Sequence, residues 1–325
     1  MRNLIKTKEL GELKVGEIYI QSECLVKILS CSSDSYSLDI VNTSGEVFKM
    51  RNVSWNEILM HFGIGVEIRH AKFSTIRQLL EMKMPVYLCG PAGSGKNVTC
   101  QQLADSMGIE FYYTNCVTQE HKLTGFIDAN GLYHETEFYK AFKHGGLLMF
   151  DELDGSSPES TLLLNAALAN GYFEFPTGRI TQHENFRVVA AGNTCGTGAT
   201  NEYVGRAQLD AATLDRFAFV EFDYDEKVEE VVSGRDQQIL EFVRNARKAA
   251  KKYNMDGLIL GYRAMERLSK MKVFSPMEAL QMAIIKGQEI DLVNELADEL
   301  TMMGLAQNKY VQALRLMELK NNCKQ

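Results

Sequence analysis

The pattern of apolar and polar positions changes character twice along the chain. Up to about residue 65, short runs of β-branched and aromatic residues alternate with turn-forming clusters. Segments 17–21, 25–30, 35–41 and 46–50 are expected as strands, with Asn42-Thr43-Ser44-Gly45 as a hairpin turn. Ser54 is placed to cap a short helix carrying Trp55, Ile58, Leu59 and Phe62. From there to about residue 224, compact apolar runs stand between helical stretches. Segments 86–89, 110–114, 147–152, 186–193 and 218–222 predict buried strands of a parallel sheet, with helices over 73–82 and 98–107. Asn130-Gly131 and Pro176-Thr177-Gly178 each predict a hairpin. Beyond residue 225 the spacing is helical. Ile239, Phe242, Val243, Ala246, Ala249 and Tyr253 recur every third or fourth position, and Arg244, Arg247, Lys248, Lys251 and Lys252 form the opposite face, expected to be solvated. Ser275-Pro276-Met277-Glu278 is a capping box with proline at the first helical position. The expected organisation is a small barrel-like β-rich module over 1–65, an α/β core with a parallel sheet over 66–224, and a helical lid with further helices over 225–325.

The candidate chemistry sits at the ends of the apolar runs. Val86–Cys89 leads into Gly90-Pro91-Ala92-Gly93-Ser94-Gly95-Lys96-Asn97-Val98, and a helical stretch follows. This is the context of a P-loop: glycines turn backbone N–H groups toward one point, and the helix N-terminus adds positive potential there. Lys96 can reach β- and γ-phosphates of a nucleotide such as ATP. The position after the lysine departs from the pattern. A Ser or Thr hydroxyl normally ligates Mg²⁺ there, and this chain has Asn97. The carboxamide oxygen can ligate after a small shift, or it can withdraw in favour of water.

Leu147-Leu148-Met149-Phe150-Asp151-Glu152 is an apolar run ending in two carboxylates. In a parallel α/β sheet ligands lie beyond the carboxyl ends of the strands. Asp151 is thus placed to hold the Mg²⁺ shell and Glu152 to orient and deprotonate an attacking water. Asn193 stands at the end of the run that starts at Phe186.

Composition narrows the function classes. With 325 residues, 45% hydrophobic and 24% charged, a packed globular chain is expected. The net charge of −7 gives no global basic footprint for nucleic acid, although a local basic stripe stays open. The N-terminus lacks an apolar leader region and no apolar run reaches a membrane span, so a cytoplasmic protein is expected. Seven cysteines without a Cys-x-x-Cys pair are expected as reduced thiols, and no His/Cys cluster has zinc spacing.

The P-loop, Phe150-Asp151-Glu152, Ala191-Gly192-Asn193-Thr194 and Leu214-Asp215-Arg216-Phe217 follow one another in the order and spacing of an AAA+ ATPase. Within that class the chain resembles the MoxR and dynein-related branch. Asp151-Glu152-Leu153-Asp154 and Asn193-Thr194-Cys195-Gly196-Thr197-Gly198 look most like the ATPase subunit of the cobalt chelatase. The resemblance covers roughly residues 70–290, and the two hairpins fall where that branch carries its helix-2 and pre-sensor-1 inserts. It implies that Asn193 is sensor 1, that Arg216 is an arginine finger reaching a neighbouring subunit, and that Arg263, in Gly261-Tyr262-Arg263-Ala264-Met265, is sensor 2. Gly-Tyr stands where the family usually has Ser-Pro or Ser-Thr. Asn115 is a candidate for the polar group holding Glu152 idle, with a plain strand cap as the alternative. Tyr203-Val204-Gly205 matches an aromatic pore loop but lies after the sensor strand, where such a loop does not belong.

The implied activity is ATP hydrolysis by a ring, a hexamer, that remodels a partner protein. Relatives commonly act with a von Willebrand A domain protein, which would here be a separate chain. Two rivals stay open: a non-hydrolysing nucleotide-binding scaffold, motivated by Asn97, and a GTP-driven DNA-restriction motor.

Overall fold

The computed structural model describes residues 3–4, 18–21, 24–31, 36–41, 47–53, 68–255 and 257–322. The chain divides into two compact units, Met1–Ile68 and Arg69–Gln325.

The first unit contains a five-stranded sheet in sequential order: β1 (Asn3–Leu4), β2 (Ile18–Gln21), β3 (Cys24–Cys31), β4 (Tyr36–Val41) and β5 (Val47–Val53). β1 pairs parallel with β2, and the rest is an antiparallel meander. Leu38 is fully buried, and the Arg51 guanidinium donates to the Leu38 carbonyl and the Asp39 carboxylate. Among the described residues no pairing closes β5 onto β1. The predicted turn at 42–45 and the Ser54 helix with Trp55 lie outside the described residues.

The second unit is built on a five-stranded, all-parallel sheet of β6 (Val86–Cys89), β7 (Phe111–Thr114), β10 (Gly146–Phe150), β13 (Phe186–Gly192) and β14 (Ala218–Glu221). The spatial order is β14-β6-β13-β10-β7. β6 and β10 are buried at every position because both faces are covered. Side chains still alternate between faces. Leu147 and Met149 pack with helices α1 (Phe73–Glu81) and α2 (Lys96–Met107), through Ile76, Leu80, Cys100 and Leu103. Leu148 and Phe150 meet α3 (Glu137–His144) and α4 (Pro158–Asn170) on the other face, through Phe138, Phe142 and Leu164.

β10 stops two positions and β13 one position before the predicted limit, so Asp151, Glu152 and Asn193 sit on the connections that follow them. Both predicted hairpins are present. β8 (Phe126–Ile127) pairs with β9 (Tyr133–His134), and Gly131 takes the left-handed turn position. β11 (Tyr172–Phe175) pairs with β12 (Gly178–Thr181).

The C-terminal helices are α5 (Glu226–Val232), α6 (Gln237–Tyr253), α7 (Tyr262–Lys270), α8 (Pro276–Leu280), α9 (Ile290–Leu300) and α10 (Lys309–Asn322). Ile239, Phe242, Val243, Ala246 and Ala249 are buried as their spacing predicts, and the Ser275–Glu278 capping box is formed. Two corrections belong here. Tyr253 is exposed rather than buried, and its hydroxyl donates to Glu299. Arg244 and Arg247 are not a solvated face: both pair with the buried Glu229 of α5, at 2.6 and 2.8 Å. Arg247 also donates to the Leu260 carbonyl and covers the Tyr224 ring at 3.7 Å. Its position one turn from the apolar stripe puts it at the seam between elements, which helical periodicity alone reads as solvent.

Candidate functional site

β6 delivers the chain to Gly90 at the point where its neighbours β14 and β13 also end. A Cβ at Gly90 would fall 1.9 Å from the Phe222 carbonyl oxygen, so only glycine fits. Gly93 and Gly95 hold φ of 74° and 90°, which turns the loop back into the start of α2. The helix thus opens with free N–H groups directed at the loop, an arrangement suited to an anion. Ser94 is buried and its hydroxyl has no hydrogen-bond partner. A buried orphan hydroxyl costs stability unless a ligand satisfies it, and a phosphate oxygen would do so.

Lys96 lies folded under this loop, almost wholly buried. Its ammonium donates to the carbonyls of Gly90 and Pro91, at 2.8 and 3.0 Å, and to Asn193 Oδ1 at 3.2 Å. Burial pulls its pKa down to about 8, against the carboxylates of Asp151, Asp154 and Glu152, which hold it up.

Asp151 extends the ladder of β10, its N–H donating to the Thr114 carbonyl. One carboxylate oxygen accepts the Glu152 N–H at 3.0 Å and the other accepts the Tyr113 hydroxyl at 3.2 Å. The Asn97 side chain lies beside the same hydroxyl. Burial and the Asp151 charge push the Tyr113 phenol above the ordinary value. Asn97, Tyr113 and Asp151 therefore form one oxygen-rich corner beside the P-loop. Mg²⁺ takes one or two carboxylates and completes its shell with phosphate oxygens and water. This corner offers that donor set, and no cluster of three acidic, His or Cys ligands competes with it among the described residues.

Glu152 stands in the left-handed region, φ 53° and ψ 43°, which is unusual for a glutamate. Its carboxylate is held by Arg206, 2.8 Å away. Asp154, two residues on, is fully buried; its Oδ2 accepts the N–H groups of Asn193 and Thr194 and the Thr194 hydroxyl. Asn115 does not hold Glu152. Its carboxamide oxygen accepts the next N–H, that of Cys116, which is the cap geometry.

The helical segment closes over the loop from the other side. The Tyr262 N–H donates to the Gly93 carbonyl at 3.2 Å, and the exposed Arg263 runs past Gly93. Two phenols grip one P-loop residue: Tyr203 accepts the Ala92 N–H, and Tyr224 donates to the Ala92 carbonyl. Tyr203 is thus docked on the nucleotide loop and does not line a pore. A cavity of about 480 Å³, lined among others by Asn193, Thr194, Cys195 and Tyr203, opens beside it.

The structure brings together the P-loop, Asp151, Glu152, Asn193 and Arg263. It does not bring Arg216 to them: that guanidinium donates to the Ala212 carbonyl in its own turn, and no ion pair with Asp215 occurs among the described residues. Sequence reasoning missed Asp154, Arg206, Tyr113 and Tyr224. Arg206 directly follows the Tyr203-Val204-Gly205 run, and Asp154 lies inside the Asp151–Asp154 stretch, so both had a sequence signal but no assigned partner.

The cysteines also depart from expectation. Cys89 and Cys195 form a disulfide, with Cα atoms 5.5 Å apart. Parallel pairing sets Cys89 opposite Gly192, and the turn after Thr194 returns Cys195 to the same place. Cys100 and Cys116 are free thiols. Among the described residues no helix is long and apolar enough to cross a membrane.

Residues 85–217 match the AAA domain family, dynein-related subfamily, and these residues span the P-loop, the paired carboxylates and Asn193. Over 245 residues the chain is 27% identical to an uncharacterized protein of Staphylococcus epidermidis, covering 67% of this chain and 89% of that one. An uncharacterized protein of Staphylococcus saprophyticus is 25% identical over the same coverage. Among solved structures, NtrX from Brucella abortus aligns at 19% identity and a TM-score of 0.41, over 60% of this chain and 44% of that one. NtrX in complex with ATP aligns at 18% identity and a TM-score of 0.39, over 60% and 45%. The chain spans less than half the length of NtrX.

Proposed function

We propose that this protein, with its AAA domain of the dynein-related subfamily, is an ATP-hydrolysing ring protein of the MoxR type. Its work would be to remodel or activate a partner protein in the cytoplasm. One convergence carries the reading: Lys96, Asn193, Asp151 and Glu152, from the ends of three neighbouring strands, surround a P-loop whose buried Ser94 hydroxyl lacks a partner.

Each residue has a task in hydrolysis. The N–H groups of the P-loop and the α2 N-terminus bind the β- and γ-phosphates, and the Lys96 ammonium stabilises charge that builds between them. Glu152 takes the proton of the attacking water at a carboxylate oxygen, a contribution of about 10² to 10⁴ in rate. Asn193 aligns that water with the γ-phosphate, and Arg263 approaches the phosphates from the helical side. Mg²⁺, held by Asp151 and the Asn97 carboxamide oxygen, would neutralise phosphate charge. Among the described residues Arg216 has no acidic partner, which suits a finger acting on a neighbour's nucleotide in a hexamer; such fingers contribute about 10³ to 10⁵ where measured in GTPases.

The resemblance of Asp151–Asp154 and of residues 193–198 to the cobalt chelatase ATPase subunit supports this reading, and the client would be a separate chain, such as a von Willebrand A domain protein. In the cytoplasm the Cys89–Cys195 bridge would form and break with redox conditions.

The test is turnover of Mg²⁺-ATP by the full chain, with Glu152→Gln as comparison. The variant should bind nucleotide as the wild type does and lose hydrolysis. Arg216→Ala mixed with Lys96→Ala should recover activity that neither has alone. Binding without turnover in the wild type would favour the scaffold; preference for GTP with stimulation by DNA would favour the restriction motor.

A further inference from the structure

We infer that Arg206 is a positioning residue with two stations, Glu152 and Asp154, and that its move from the first to the second frees Glu152 for hydrolysis. The inference rests on the ATPase reading above.

The first station is occupied. Arg206 Nη2 lies 2.8 Å from Glu152 Oε1, and the arginine side chain is only 14% exposed. A general base must offer a free oxygen to the proton it removes. In this arrangement one of the two Glu152 oxygens is committed to a guanidinium, and the residue is in a left-handed conformation that favours another residue type. Such strain at a non-glycine position persists where surrounding contacts enforce it.

The second station is built and only loosely engaged, by an ion pair without a hydrogen bond. Asp154 is fully buried, and its Oδ1 has no hydrogen-bond partner. Arg206 Nη1 stands 3.7 Å from that oxygen, close enough for attraction and too far for a hydrogen bond. A displacement of about 1 Å would close the gap. A guanidinium this far from solvent cannot let go of one carboxylate without cost unless a second is at hand. Asp154 supplies it.

The route around the arm is clear and its base is fixed. A Cβ at Gly155 would stand 2.6 Å from Arg206 Nη1, so glycine leaves the guanidinium its space. The next residue is anchored, the Ala207 N–H donating to the Asp154 carbonyl at 2.6 Å, so the side chain moves and the backbone stays.

The second station also touches the nucleotide site. Asp154 Oδ2 holds the N–H groups of Asn193 and Thr194, and Asn193 Oδ1 accepts from Lys96. A γ-phosphate that draws Lys96 and Asn193 toward itself pulls on the Asp154 carboxylate. Its free oxygen then shifts relative to Arg206. The chain Lys96–Asn193–Asp154–Arg206–Glu152 thus links an occupied phosphate site to release of the base.

The experiment is a double-mutant cycle on kcat and KM for Mg²⁺-ATP. Its members are wild type, Arg206→Gln, Glu152→Gln and the pair, with Gly155→Ala as a second way to displace the guanidinium at unchanged charge. Arg206→Gln and Gly155→Ala should raise basal kcat, by up to about tenfold if the held state dominates by that ratio. KM should stay within about twofold. The gain should vanish in the Glu152→Gln background. If Arg206→Gln fails to fold, Gly155→Ala and Arg206→Lys carry the same comparison. A kcat unchanged or lowered in the Glu152 background, or an equal change in both backgrounds, would overturn the two-station arm while leaving the ATPase reading in place. A wild type that hydrolyses no nucleoside triphosphate would instead remove that reading, and the arm with it.

Discussion

Lys96 donates to Asn193 across 3.2 Å, so the P-loop and the end of β13 are tied together by one ammonium. Its other two donors go to the Gly90 and Pro91 carbonyls. An ammonium has three donors, and here the protein uses all of them. Phosphate oxygens can gain the lysine only by displacing at least one of these acceptors, which makes Asn193 respond to nucleotide.

The charge state of Lys96 follows from the same geometry. Burial lowers its pKa from 10.5 to about 8 in the free protein. The native state then binds fewer protons than the unfolded chain between those values. This group's cost to stability is therefore present below about 8 and fades as pH rises toward 10.5. Bound phosphates act the other way and favour the ammonium. Nucleotide binding should take up a proton as pH rises through about 8, with affinity falling by at most about tenfold per pH unit. Calorimetry with a non-hydrolysable analogue in buffers of different ionisation enthalpy, between about pH 7.5 and about pH 9, reads the uptake directly. Uptake that stays flat across that range would show that Lys96 is fully charged in the free protein.

The Cys89–Cys195 bridge closes a loop across a sequence separation of 106. A cross-link of that span typically contributes about 2–4 kcal/mol by restricting the unfolded chain. Cys195→Ser should lower stability by about that amount and leave nucleotide affinity within a few-fold, because neither sulfur is among the N–H groups of the cradle. Denaturant melts of oxidised and reduced protein, with thiol counts on each, check both halves. Coincident melts would mean the bridge does not constrain the chain.

What the sequence makes legible is what is local. Gly90–Lys96 and Asp151–Glu152 are contiguous, and their place at strand ends follows from the apolar runs before them. The partners that tune them are not local. Arg206 reaches Glu152 over a separation of 54 residues, and Tyr113 reaches Asp151 over 38. Those contacts exist because β7 lies beside β10 and because the segment after β13 folds back under Asp154. Periodicity places a residue on a face but does not say what lies opposite. That is why Arg244 and Arg247, spaced as a polar face, were expected in water and instead meet Glu229.

That carboxylate joins α5 to α6 from a buried position, while each arginine keeps about a third of its surface in solvent. Removing the acid leaves two cations that water can still reach, so the loss should fall below the figure for a wholly buried pair. Glu229→Ala should cost about 1–3 kcal/mol. Arg247 also holds the Leu260 carbonyl beside the Gly261–Tyr262 contact with the P-loop. Arg247→Ala should therefore weaken nucleotide binding as well as stability, whereas Arg244→Ala should affect stability alone. Thermal melts with and without nucleotide separate these effects, and equal nucleotide-induced shifts in the two arginine variants would contradict the assignment.

The last prediction concerns the corner formed by Asn97, Tyr113 and Asp151. A Ser or Thr in place of Asn97 would offer a hydroxyl close to the backbone; the carboxamide oxygen sits one atom further out. In this chain the Tyr113 hydroxyl donates to Asp151 and lies beside the Asn97 side chain, so its phenol supports the two groups expected to face the metal. The departure at Asn97 is thus accompanied by an added support, and Asn97 should change metal affinity more than chemistry. Tyr113→Phe removes the hydroxyl and keeps the ring. At about 1 kcal/mol for such a bond, the Mg²⁺ concentration for half-maximal turnover should rise about fivefold, with little change in the saturated rate. Asn97→Thr should lower that concentration, because the shorter side chain ligates without the phenol's help. In the Asn97→Thr background, Tyr113→Phe should then have a smaller effect, limited to its contact with Asp151. Mg²⁺ titrations at saturating ATP on the four proteins give the comparison. Equal effects of Tyr113→Phe in both backgrounds would show that the tyrosine acts through Asp151 alone, and a wild type rescued from inactivity only by Asn97→Thr would show that the carboxamide blocks the metal site.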